Sequence, residues 1–164
     1  MIVVFYLSAA VAILATLLVI TRLNAVHALL YLIVSLLSVA ILFYTLGAPF
    51  IAALEVIIYA GVIMVLFVFV MMMLNLGSEA TEQESQWLKP GMFIGPAILA
   101  LVLMIELIYM LAAGLPRATA AQMVSPFEVG MNLFGPYLLG VELAGMLLLA
   151  ALVGAFHLGH RMEE

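Results

Sequence analysis

Glu55-Val56-Ile57-Ile58-Tyr59-Ala60-Gly61-Val62-Ile63-Met64-Val65-Leu66-Phe67-Val68-Phe69-Val70 is the stretch whose reading decides the fold. It lies inside a run from Phe50 to Leu74 with one formal charge and no proline. As a helix that run of about 25 residues would be roughly 37 Å long, against a bilayer hydrocarbon core of roughly 30 Å. It spans a membrane with length to spare, and it holds a carboxyl, a phenol and a glycine close together. A carboxyl buried in lipid costs several kcal/mol unless it faces protein, water or a partner. The helix therefore carries more than is needed for insertion.

Composition agrees along the whole chain. Of 164 residues, 69% are apolar and only 8% charged, and the mean hydropathy is +1.40. A soluble domain would carry about a quarter charged residues. The expectation is an all-α integral membrane protein, one membrane domain over residues 1–164. Five spans read out of the hydropathy, at roughly 2–20, 25–46, 50–76, 92–113 and 132–158. The first lacks a basic segment ahead of it and is long enough to cross, so it reads as a span rather than a cleavable signal. Gly47-Ala48-Pro49 separates the second span from the third, with proline suited to the first turn of the next helix. A polar loop holds Glu79, Glu82 and Glu84 and ends at Trp87-Leu88-Lys89-Pro90, which has the composition of an interface anchor. The loop from Gly114 to Met131 has room for one short helix.

Several chemistries are excluded or disfavoured. The chain has no cysteine, which removes thiolate ligation of iron–sulfur clusters and disulfides. There is no glycine-rich phosphate loop, and His27, His157 and His160 form no metal-ligand spacing. The net charge of −5 argues against nucleic acid as a partner. Five spans place the termini on opposite sides. Arg22, Lys89 and Arg161 then share one face and Arg117 lies on the other, so the positive-inside tendency puts the N-terminus outside and the C-terminus in the cytoplasm. No internal repeat is visible, which weighs against an inverted-repeat transporter.

The candidate functional residues are the polar and small ones inside the spans. Glu55 and Tyr59, four apart, share a helix face and read either as a protonatable pair on a hydrated path or as groups reaching the interface. Gly61 either permits close helix packing or marks an i→i+5 bulge, which would absorb the extra length of the span. Glu142 sits near the middle of the fifth span among Gly140 and Ala144. A mid-membrane carboxyl on such a helix reads as a proton relay or a buried contact to another subunit. Glu106, nearer a span end, reads as a side chain reaching towards the interface. Met64, Met71, Met72 and Met73 are the adaptable filling of an irregular core.

Tyr59-Ala60-Gly61-Val62-Ile63-Met64-Val65-Leu66-Phe67-Val68-Phe69-Val70 resembles the third-helix signature of the J-type membrane subunit of NADH–quinone oxidoreductase, respiratory complex I. That signature commonly reads Y-A-G-A-I-x-V-L-F-x-F-V, and Val62 stands here where alanine is usual. Asn24-Ala25-Val26-His27-Ala28-Leu29, Gln86-Trp87-Leu88-Lys89-Pro90, and Leu133-Phe134-Gly135-Pro136-Tyr137 leading to Val141-Glu142-Leu143-Ala144 look similar as well. The resemblance runs from about Phe5 to His157. It implies a five-helix subunit of the bacterial inner membrane without cofactors of its own, flavin and iron–sulfur clusters being on other subunits. Its implied partners are the quinone-site and antiporter-like membrane subunits. The third helix is implied to carry a π-bulge that forms or relaxes and so opens or closes a water path. Carried over by position, that gating role falls on Tyr59, Gly61 and Val65; Glu55 and Glu142 join them on the proton path through their own reading as carboxyls inside the spans. Glu106 lies outside the pattern. An i→i+5 hydrogen bond or a break in the α-helical ladder is expected between Tyr59 and Val65. Two other classes stay open on the sequence: an accessory subunit of a related cation/proton antiporter or membrane-bound hydrogenase, and a free-standing channel or transporter.

Overall fold

The computed structural model describes residues 2–74, 91, 93–112 and 123–160. Among these the chain is helical and has no strand. Helix α1 runs over Ile2–Thr21 and α2 over Ala25–Thr45. The third span is one continuous rod in three pieces: α3 (Pro49–Leu54), a π-helical segment (Glu55–Ile63) and α4 (Met64–Leu74). Then come α5 (Ile94–Ala112), the short α6 (Pro126–Leu133) and α7 (Leu138–His160). Five helical stretches are long and apolar enough to cross a membrane. The anchor at Trp87–Lys89, the acids Glu79, Glu82 and Glu84, and Arg117 and Arg161 lie outside the described residues.

The first three connections follow from local chemistry. Asn24 caps α2 by accepting the backbone N–H of His27 at 3.1 Å, which satisfies one of the donors a helix start leaves open. At the other end, Gly47 turns the chain with φ of 84°, a region that costs a residue with a Cβ about 1–2 kcal/mol. Pro49 then opens α3 at a position where no amide N–H is needed.

The chain divides into two compact units, Met1–Met123 and Val124–Glu164. In the first, α2 is central, packing against α1, the third span and α5, while α1 also touches α5. The packed centre is Val11 and Ala15 of α1, Val34 of α2 and Leu103 of α5, flanked by Leu37, Ile41, Leu99 and Ala100. Thr16 and Ser35 join α1 to α2 through hydroxyls 2.8 Å apart. Most large apolar side chains point outward, as they do where the surroundings are hydrocarbon or other helices rather than water.

In the second unit, Ser125 and Glu128 form a reciprocal cap at the start of α6: the Ser125 hydroxyl accepts the Glu128 N–H at 3.2 Å, and the Glu128 carboxylate accepts the Ser125 N–H at 2.9 Å. The hydropathy reading starts the fifth span at Asn132, but α7 begins at Leu138. Pro136 is the reason. It has no N–H to offer the Asn132 carbonyl, which accepts from Tyr137 instead at 3.1 Å. The apolar run is continuous there; the hydrogen-bond ladder is not.

Candidate gating site

The α-helical ladder of the third span holds up to Glu55, whose N–H points at the carbonyls of Ile51 and Ala52. From Glu55 to Ile63 the backbone is wound as a π-helix. Where it closes, the Met64 N–H donates to the Tyr59 carbonyl, five residues back, and shares itself with that of Gly61. This is the expected i→i+5 bond, in the expected interval. The departure is broader than a single bulge, covering nine residues.

Gly61 fits this winding by its lack of a side chain. A Cβ there would stand 3.2 Å from the carbonyl oxygen of Val56, tighter than ordinary van der Waals contact. The glycine thus leaves room for the Val56 carbonyl one wide turn back, a tolerance added to its loose backbone preference.

The site residues named from sequence divide between the two units. Glu55, Tyr59, Gly61 and Val65 all belong to the third span. Glu55 is half-buried, Tyr59 is 48% exposed and Val65 is 67% exposed. Glu142 lies on α7, exposed, in the second unit. Only Ala52 and Met64 are buried among the described side chains of the third span. The π segment presents Val56, Ile57, Ile58, Tyr59 and Val62 outward. Such a face is open to a neighbouring helix or to lipid.

Glu106 is the residue that sequence reasoning missed. Rather than reaching for an interface, it is 4% exposed and points into the bundle. The Ser8 hydroxyl of α1 donates to its Oε2 at 2.5 Å, while Oε1 has no hydrogen-bond partner. Ser8 itself is fully buried. The available signal was a serine standing alone among aliphatic residues in the first span, matched to an acid standing alone in the fourth. At the start of α2, the His27 and Tyr31 rings stack with centroids 4.9 Å apart, and the Arg22 guanidinium lies 5.7 Å from the Tyr31 ring centroid. Among the described residues no three His or Glu side chains converge as a metal-ligand set.

Comparison with known proteins resolves what this arrangement belongs to. Residues 15–158 match the family model described as NADH-ubiquinone/plastoquinone oxidoreductase chain 6. The chain belongs to this family. Among the curated relatives, NADH-quinone oxidoreductase subunit J of Pseudomonas aeruginosa is 60% identical over 162 residues, covering 96% of this chain and 95% of the relative. The subunit J of Escherichia coli K12 is 57% identical over 155 residues, covering 94% and 84%. That of Buchnera aphidicola from Schizaphis graminum is 51% identical over 156 residues, covering 95% and 96%. The family match includes the whole π segment, Glu106 and Glu142; Ser8 precedes it.

Proposed function

We propose that this chain, as a membrane subunit of an NADH–quinone oxidoreductase, couples quinone reduction to proton translocation through a change of winding in its third span. It takes no part in the redox chemistry and holds no cofactor; flavin and iron–sulfur clusters belong to other subunits. Its neighbours are the quinone-site and antiporter-like membrane subunits. It sits in a bacterial inner membrane with its N-terminus outside and its C-terminus in the cytoplasm. Glu55, Tyr59 and Glu142 supply exchangeable protons or hydrogen bonds along the water path, and Gly61 and Val65 set whether that path is open.

The observation that carries this reading is the π segment, closed by the Met64-to-Tyr59 hydrogen bond on a largely exposed helix. Relaxing one residue of π winding into α geometry turns everything downstream by roughly 100°. That rotation moves Val65 and Phe69, both exposed, and an apolar side chain brought into a narrow water path closes it by dewetting. No buried charge has to move.

Gly61→Val tests the idea. Its branched Cβ meets the Val56 carbonyl at the 3.2 Å position, so the π form is penalised and the span is biased to one winding. The assembled complex should still reduce quinone while pumping fewer protons per quinone. Proton uptake and quinone reduction measured on the same preparation give that ratio. A normal ratio in a fully assembled Gly61→Val complex would remove the support for gating.

A further inference from the structure

We propose that Glu106 is a proton-binding site: the assembled complex holds it as the neutral carboxylic acid and keeps that proton through turnover. The bound proton is what lets α1 and α5 close on each other. The site shares no residue with the gating proposal and does not depend on it.

The site is made of one polar side chain on each of two apolar helix faces. On α1 the buried residues are Val4, Ser8, Val11 and Ala15, and on α5 they are Pro96, Leu103, Glu106 and Met110. Ser8 and Glu106 are the polar members of two stripes at helical spacing. They lie at matching depth: Ser8 is six residues from Ile2 and Glu106 six from Ala112, each about 9 Å inside its helix. The Glu106 side chain is buried there, turned to Ser8.

A charge on Glu106 would find no cation among the described residues. α5 packs against α1 and α2. No Lys, Arg, His, Asp or Glu occurs in α1, and its Tyr6 is exposed. On α2 the titratable side chains are His27, Tyr31 and Tyr44. Arg22, His27 and Tyr31 lie towards the α1–α2 turn, beyond the Thr16–Ser35 contact. That contact is itself eight residues from Ser8 along α1, about 12 Å. Tyr44 lines the groove that α2 and α5 form with the third span, and Glu106 does not. Tyr109 of α5 is exposed, and a phenol supplies no positive charge in any case.

Oε2 receives the Ser8 hydroxyl, and Oε1 receives nothing. An ionised carboxylate carries its charge on both oxygens and needs donors at both. Buried without a cation, it costs far more than the neutral acid, so such a group takes up a proton instead. The proton belongs on Oε1, because Oε2 already has a hydrogen directed at it. An uncharged O–H without an acceptor is a much smaller loss than an unpaired charge. Neutralised in this way, the carboxyl still accepts from Ser8, and two apolar stripes pack with no charge between them.

Infrared difference spectra of the intact complex in lipid test the assignment. Parent minus Glu106→Gln should show the carbonyl stretch of a protonated carboxylic acid at neutral pH and no carboxylate stretch. The acid band should stay in place during turnover. Ser8→Ala removes the hydroxyl donated to Oε2, so the band should move to higher frequency without giving way to carboxylate bands. Glu106→Gln, which has the charge of the proton-bound form, should pump as many protons per quinone as the parent. Four results would overturn the proposal: carboxylate bands in place of the acid band, an acid band that disappears and returns in turnover, fewer protons per quinone in an assembled Glu106→Gln complex, or a neighbouring subunit's Lys or Arg bonded to Oε1. Should Glu106→Gln fail to assemble, the parent minus Ser8→Ala spectrum decides. A displaced acid band supports the site; a displaced carboxylate band, or no change in the acid region, removes it.

Discussion

Ser8 and Glu106 stand 98 positions apart in the chain, and their 2.5 Å hydrogen bond joins α1 to α5. Side-chain hydrogen bonds between membrane helices average about 0.6 kcal/mol and reach about 1.7. Ser8→Ala is therefore expected to cost about 1 kcal/mol. Glu106→Ala should cost about 2–3 kcal/mol, because it also opens a void. Glu106→Gln keeps a carbonyl oxygen for Ser8 and should stay within about 1 kcal/mol of the parent. The midpoint of thermal disassembly of the purified complex reads all three. A Glu106→Gln complex that disassembles as early as Glu106→Ala would mean that the acid itself, rather than its oxygen, is required. The sequence could locate Glu106 along its helix but not around it. Depth follows from counting residues to the span end, whereas direction depends on a partner on another helix. That is why a buried bond was read as a side chain reaching for the interface.

At the scale of elements, the third span was the most legible. Its excess length and Gly61 left a bulge as one of two readings, the family resemblance placed the departure between Tyr59 and Val65, and the Met64-to-Tyr59 bond lies in that interval. Its extent over nine residues was not legible, because no local residue marks where a wider helix returns to α. The start of α7 was misread for a related reason: hydropathy does not register a missing N–H at Pro136. The contact between α2 and α5 offers a sharper check on packing. Tyr31 is buried and its hydroxyl occupies the place a Cβ on Gly95 would take. Gly95→Ala must displace that ring, at a cost of about 1–3 kcal/mol typical of overpacking. Removing the hydroxyl with Tyr31→Phe should return part of the loss. The same thermal midpoint, measured for the two single variants and the pair, would expose the coupling. Additive losses would show that the ring moves freely.

For the molecule as a whole, length and hydropathy sufficed for five spans, since those properties need no partner to be read. Orientation rests on few charges: Arg22, Lys89 and Arg161 against Arg117. The absence of cysteine makes it simple to test. Leu23→Cys, in the fully exposed turn after α1, should react with an impermeant thiol reagent only from the cytoplasmic side. Ala48→Cys, in the turn after α2, should react only from the other. The reverse pattern would invert the orientation. Function was less accessible than fold, because Glu55 and Tyr59 lie in one unit and Glu142 in the other, and Tyr59 and Glu142 are exposed. The exposure of the third span has a cost for the cell. Among its described side chains the third span buries only Ala52 and Met64 against its own unit, so a copy made in surplus is expected to offer an unclaimed helix to quality-control proteases. Steady-state abundance of this chain is then expected to follow the supply of the subunits that cover it rather than its own rate of synthesis, as a titration of its expression against a fixed level of the other subunits would read.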